Sequence, residues 1–148
     1  MTTRSKNLSQ KPLKIALISI RPNFVNKILS GEKKLEFRRR WAAHPVDILV
    51  IYCSSPIQRI VARVSVVSVT EGSPTALWEL AKQKGGGVSR QIIFDYFKGA
   101  KSGYAIEITD VLKFDNPIDP KMVFNKFLAP QSFRYLDSDD YVRILERT

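Results

Sequence analysis

The hydrophobic positions fall into short alternating or continuous runs punctuated by proline, glycine and serine, a pattern that predicts a small β structure with short helices. Lys14 to Ile20 (Lys-Ile-Ala-Leu-Ile-Ser-Ile) is β-rich and predicts the first strand. Arg21-Pro22 breaks it, and a proline in the first turn opens a helix to about Ser30. Phe24, Val25, Ile28 and Leu29 supply its inner stripe and Gly31 its stop. Strands follow over Lys34 to Arg39, Asp47 to Cys53 and Ile57 to Thr70. In the last of these Ile60, Ala62, Val64 and Val66 alternate with Val61, Val67 and Val69, so both faces are apolar. Such a strand belongs in the middle of a curved sheet or in a barrel wall.

Ser73-Pro74 reads as an N-cap with proline at N1, opening a helix from Thr75 to about Lys84 that packs through Leu77, Trp78 and Leu80. Gly85-Gly86-Gly87 has neither the GxGxxG spacing nor the Walker lysine of a phosphate loop, so it reads as a hinge between helices. Ser89 caps the next helix, with Ile92, Ile93, Tyr96 and Phe97 as its apolar side and Gly99 as its stop. Tyr104 to Leu112 is the last clear strand, and Asn116 to Pro120 reads as a turn. Pro130 to Leu136 is irregular and expected to lie over the barrel, and Ser138-Asp139-Asp140 starts a final helix. No repeat or linker divides the chain, so the expected organisation is one domain over residues 12–148 behind a flexible basic arm over residues 1–11.

Composition changes this picture in one respect. With 44% hydrophobic and 26% charged residues the chain is an ordinary folded protein, but 24 Lys and Arg against 14 Asp and Glu leave a net charge of +10. The pI near 9.9 favours polyanionic partners, nucleic acid first, over charge carried for solubility alone. Cys53 is the single cysteine and sits in an apolar run, so it reads as a small buried hydrophobe and no intrachain disulfide can form. His44 is also alone, beside Pro45, without a nucleophile motif to serve, and structural zinc would need clustered Cys or His. No metal or other cofactor is expected. Neither a membrane span nor a signal core is visible, which points to a cytoplasmic protein.

The chemistry concentrates in Ser30-Gly31-Glu32-Lys33-Lys34-Leu35-Glu36-Phe37-Arg38-Arg39-Arg40-Trp41. On a strand Lys34, Glu36 and Arg38 project together while Leu35 and Phe37 face the other way, with Lys33 in the preceding turn. Lys33 is either a phosphate or base contact or a solvated turn residue. Glu36 suits a base amino group or proton transfer, and equally an ion pair with Arg38 or Lys34. Three consecutive arginines cannot share one face, so at most two of Arg38, Arg39 and Arg40 meet the same ligand. Trp41 is either a stacking platform for an unpaired base or packing on the barrel rim. Tyr52, Ser54, Ser55, Arg134 and Tyr135 are further candidates by position.

Gly31-Glu32-Lys33-Lys34-Leu35-Glu36-Phe37-Arg38 fits GxKxxExR and resembles the motif of the ASCH domain, a branch of the PUA-like superfamily. The strand, the helix from Arg21-Pro22 and the strands beyond the motif agree with that family over roughly residues 14–113. The resemblance implies an α+β fold: a PUA-like mixed β-barrel of about five to six strands, with short helices at its ends and a cleft beside the first helix. It implies a binding module for RNA or a modified nucleotide, single-stranded nucleic acid favoured, regulatory in transcription or translation. The nucleic-acid-binding residues would be Lys33, Lys34, Glu36, Arg38, Arg39 and Trp41. A small branch resembles an amidohydrolase acting on N4-acetylcytidine with the motif lysine, a threonine and a later glutamate. The lysine becomes Lys33, the threonine is replaced by Glu36, and the later glutamate falls on Glu79. The alternative reading is therefore a metal-independent amidohydrolase or ribonuclease with Lys33, Glu36 and Glu79 as catalytic candidates.

Overall fold

Strand β1 (Ile15–Ile20) lies inside the sheet because aliphatic side chains emerge from both of its faces. It runs parallel to β3 (Ile48–Cys53) and antiparallel to β6 (Phe133–Leu136). The computed structural model describes residues 12–148, so the arm expected over residues 1–11 lies outside the described residues. A single mixed sheet has the order β2 (Leu35–Arg38), β5 (Gly103–Ile118), β4 (Arg59–Gly72), β3, β1, β6. Its other pairings are antiparallel.

Three register shifts along β4 and β5 and one between β3 and β4 curl this sheet into a half-barrel, since each irregularity bends and twists the strand that carries it. The curl separates two cores. Ala16, Ile18, Leu49, Ile51, Ala62, Val64, Ile106 and Ile108 pack on one face with Val25 and Ile28 of helix α1 (Pro22–Ser30), which plugs the curl. Ile15, Leu17, Ile48, Val50 and Ile60 pack on the other with Phe114, Phe124, Leu136 and Ile144 of α4 (Ser138–Leu145). The irregularity between Ile60 and Ala62 explains why two residues of like phase join different cores.

A third cluster joins Leu35 and Phe37 of β2 to Leu77 and Ala81 of α2 (Pro74–Lys84) and Ile93 of α3 (Arg90–Tyr96), with Phe97 just beyond it. Both helices start where serine was expected to cap them: Ser73 Oγ accepts from the Ala76 amide at 3.1 Å, and Ser89 Oγ from the Ile92 amide at 3.2 Å. Gly31 ends α1 at φ +86°.

Several expectations change. Strand β5 does not end at Leu112 but runs through Asn116-Pro117 to Ile118, and the chain turns afterwards in a 3-10 turn over Pro120–Met122. Pro117 is tolerated there because the pairing of β5 with β4 skips from Lys113 to Ile118, so no ladder amide is needed from it. Phe133 to Leu136, read as irregular cover, is the edge strand β6, and its four residues are too few to show a period. The cap of α4 is Asp137, which forms a reciprocal capping box with Asp140.

Candidate functional site

The motif begins where α1 stops. Gly31 lets the chain reverse, the Lys33 amide donates to the Lys27 carbonyl at 3.0 Å, and the Lys34 amide donates to the Gly85 carbonyl at 2.7 Å. The chain then enters β2 against β5, with Glu36 opposite Ile106 and Arg38 opposite Tyr104. Period-two alternation sends Leu35 and Phe37 under α2 and α3, and Glu36 and Arg38 to the opposite face.

Lys33, Glu36 and Arg38 are the buried charged residues among the described ones, at 3%, 6% and 9% exposure. The Glu36 carboxylate lies between the two cations. Its Oε1 is 3.4 Å from Lys33 Nζ, and its Oε2 is 2.9 Å from Arg38 Nη2 and accepts from Arg38 Nε at 3.0 Å. Lys33 Nζ also donates to the Leu35 carbonyl and lies 4.8 Å from the Phe37 ring centroid and 5.5 Å from that of Phe24. Arg38 Nη2 reaches across to the Ser19 carbonyl of β1 at 2.6 Å. Strands β5, β4 and β3 separate β2 from β1 within the sheet, so this bond spans the mouth of the curl.

With all three ionised the triad carries one net positive charge, held where water cannot screen it. Burial pushes the Lys33 ammonium below its ordinary pKa of 10.5. Glu36 opposes the shift as counter-charge and hydrogen-bond acceptor, while Arg38 and Lys27 reinforce it. The lowered value sets a sign. Between it and 10.5 the unfolded chain binds more protons at this position than the folded chain, so stability rises with pH through that window, and below it the cost of burying the ammonium is fully present. Tyr52 and Cys53, which burial raises, act in the reverse sense: their contribution falls as pH climbs past their unfolded values. Comparison with Lys33→Met cancels those two. Urea titrations at neutral pH and near pH 10 are expected to show the parent gaining stability relative to Lys33→Met as pH rises, and a constant difference would contradict the assignment.

The triad lies at a cleft of about 600 Å³ between the mouth of the curl, α1 and α3. That volume falls within the roughly 300–1,000 Å³ usual for small-molecule and cofactor sites. Its polar lining includes Ser19 and Arg21, Ser54 after β3, Asp95 and Tyr96 on α3, and Gln131 before β6. Phe24, Phe37, Val88, Ile92 and Ile93 supply apolar wall.

The structure thus brings Lys33, Glu36 and Arg38 together but leaves Lys34, Arg39, Trp41 and Glu79 outside the cleft. Lys34, grouped with Glu36 and Arg38 by alternation, is exposed, because regular pairing starts only at Leu35 and the preceding turn sends Lys33 inward instead. Arg39 is exposed and donates from Nη1 to the carbonyls of Tyr96 and Lys98. Trp41 packs on Phe133 at 4.9 Å between centroids, the rim-packing alternative. Glu79 is exposed on α2 and pairs with Lys82 at 2.9 Å. Among the further candidates Ser54 lines the cleft, Tyr52 is buried against Phe127, and Arg134 covers the Phe124 ring.

Sequence reasoning missed Ser19, Tyr96 and Gln131, which carry no motif. It also undervalued Gly85 to Gly87, a surface molded against the motif turn rather than a plain hinge. A Cβ on Gly87 would fall 2.7 Å from Lys33 Cβ, and the Gly87 carbonyl accepts from Lys27 Nζ at 2.8 Å. Among the described residues, no group of three or more His, Cys, Asp or Glu is placed to hold a metal ion, and no helix is long and apolar enough to cross a membrane.

Comparison with known proteins bears on this arrangement. The family model of the ASCH domain matches residues 18–118. An ASCH domain-containing ribonuclease of Zymomonas mobilis is 28% identical over 142 residues, covering 91% of this chain and 93% of that protein. The crystal structure of ASCH from Zymomonas mobilis superposes with a TM-score of 0.83 at 27% identity, covering 90% of this chain and 94% of that one. A Ureaplasma parvum ATP synthase subunit alpha is 26% identical over 120 residues, and this chain spans only 15% of that subunit.

Proposed function

Because the chain belongs to the ASCH domain family, a PUA-like RNA-binding family, we propose that it is a cytoplasmic single-domain module over residues 12–148 that binds RNA or a modified nucleotide, single-stranded RNA preferred, in the cleft at Lys33, Glu36 and Arg38. The observation that carries this reading is a buried triad of net charge +1 at a nucleotide-sized cleft. A buried cation excess favours an anionic ligand far more than the same charges would in open solvent. In this reading Glu36, with each oxygen already ion-paired, holds the cations in place, and Arg38 and Arg21 meet the ligand. The protein's overall charge of +10 adds long-range attraction for RNA.

Fluorescence anisotropy with a labelled single-stranded RNA across a salt series tests the proposal. Affinity should fall as salt rises, and Arg21→Ala should lower the slope of log affinity against log salt by about 0.7, the share of one phosphate contact on a single strand. Arg21 suits the test because it precedes α1 without a side-chain capping bond, so its removal spares the helix. A salt-independent response would overturn the reading.

A second reading is ribonuclease activity without metal, favoured by the similarity to the Zymomonas mobilis ribonuclease and by the lowered pKa of Lys33, which brings a neutral amine capable of accepting a proton closer to hand. RNA incubated with chelator and the parent, Lys33→Ala or Glu36→Gln would be cleaved by the parent alone. Equal products from all three would dismiss it. The amidohydrolase alternative has less support in the cleft, since Glu36 stands in place of its threonine and Glu79 lies outside.

A further inference from the structure

We propose that Tyr96 is the stacking platform for one unpaired nucleobase admitted to the cleft, an assignment that rests on the RNA-binding reading and adds to it where the base sits. Helix α3 was expected to bury Ile92, Ile93, Tyr96 and Phe97 together. It buries only Ile93 and Phe97, while Ile92 and Tyr96, one helical turn apart, remain 42% and 41% exposed and both line the cleft. An exposed aliphatic and an aromatic ring side by side on a concave wall leave apolar surface in water that a flat ligand would cover.

The ring is also held in place before any ligand arrives. Its hydroxyl accepts from the Arg39 amide at 3.3 Å, and the Tyr96 carbonyl accepts from Arg39 Nη1 at 2.9 Å. Phe97, buried to 1% exposure, meets the ring 4.8 Å away at an interplanar angle of 68°, an edge contact that does not cover both faces. Arg39 is therefore a positioning residue for Tyr96 rather than a phosphate clamp. Trp41, the other aromatic residue beside the arginines, already packs on Phe133 at an interplanar angle of 52° and does not line the cleft.

In the same cleft, Arg38 uses Nε and Nη2 on Glu36 and Ser19, and among the described residues nothing takes up its Nη1. A base lying on Tyr96 would offer that donor its ring-edge carbonyl or nitrogen acceptors. Apolar surface and a charged donor lining one cleft match the face and the edge of a nucleobase, whereas a bare phosphate would use neither Ile92 nor the ring.

The test uses a fluorescein-labelled ten-nucleotide single-stranded RNA, the same oligomer with abasic positions in place of its bases, and the variants Tyr96→Phe and Tyr96→Leu. Tyr96→Phe keeps the π face but loses the acceptor for the Arg39 amide, and should bind RNA more tightly than Tyr96→Leu. Tyr96→Leu keeps apolar volume but no π face, and should bind about ten-fold more weakly with an unchanged salt slope, because no charge is removed. The parent should prefer RNA to the abasic oligomer by a similar factor. Equal affinity of Tyr96→Leu and the parent, or of the parent for the two oligomers, overturns the stacking role while leaving RNA binding in place. Failure of the parent to bind RNA overturns both. Should Tyr96→Leu not fold, the two-oligomer comparison on the parent decides alone.

Discussion

Glu36→Gln is expected to lower folding stability by about 3–5 kcal/mol, the usual cost of removing one partner from a buried ion pair. Among the described residues the carboxylate is the one counter-charge paired with these cations, with Lys33 Nζ at 3.4 Å on one oxygen and Arg38 Nη2 at 2.9 Å on the other. Glutamine preserves shape but leaves two buried cations facing an amide. Lys33 can escape by releasing its proton, and burial already moves it that way. Arg38 would keep the Ser19 carbonyl but lose its ion pair.

Lys33→Met should behave differently. It removes a desolvated ammonium, leaves the Glu36 to Arg38 pair intact and adds apolar contact to Phe24 and Phe37, so its effect should stay within about 1 kcal/mol of the parent. Urea unfolding of the two single variants and the double variant closes a cycle, and Glu36→Gln should cost less in the Lys33→Met background because one stranded cation is gone. Equal stabilities for the two single variants would mean that the carboxylate is not what holds this cluster together.

Much of this architecture was legible in the residues. The run from Asp47 to Cys53 is apolar without a break because β3 lies inside the sheet with a core on each side. Ser73-Pro74 and Ser89 marked helix starts because an orphan amide needs an acceptor two or three residues ahead. The motif was legible too, as a charge pattern on a strand, but the placement of its lysines was not. Alternation is valid only inside a ladder, and Lys34 precedes the first paired residue, so the turn decides that Lys33 is the one tucked inward. Strand β6 escaped notice because an edge strand of four residues owes its conformation to its partner β1, and that pairing spans more than a hundred residues of sequence.

The cleft wall was obscure for another reason. Hydrophobicity marks Ile92 and Tyr96 as core as readily as Ile93 and Phe97, and only the packing of α3 with Leu35 and Phe37 of the edge strand β2 separates the two pairs. A site of this kind is formed by what the core leaves uncovered, which no local pattern records.

Gly87→Ala is expected to damage the site more than Gly85→Ala two residues before it. Gly85 and Gly87 both have left-handed backbones, at φ +82° and +70°, so alanine at either costs about 1–2 kcal/mol of conformational strain. Their surroundings separate them. At Gly85 an added Cβ meets nothing nearer than 3.7 Å, but at Gly87 it would lie 2.7 Å from Lys33 Cβ, 2.8 Å from Lys33 Cα and 3.2 Å from the Glu32 carbonyl oxygen. Two of those three contacts are with backbone atoms, which cannot swing aside as the end of a side chain does. The motif turn must shift, and with it the ammonium that sits against Glu36, Phe24 and Phe37. Gly85→Ala should therefore lose stability while binding single-stranded RNA like the parent once folded. Gly87→Ala should lose more stability and about ten-fold in RNA affinity, equivalent to about 1.4 kcal/mol. Thermal melts and anisotropy on the two variants side by side check the contrast. Equal RNA affinities in both would show that the position of Lys33 does not govern binding, and the triad would then be a structural fixture of the curl alone.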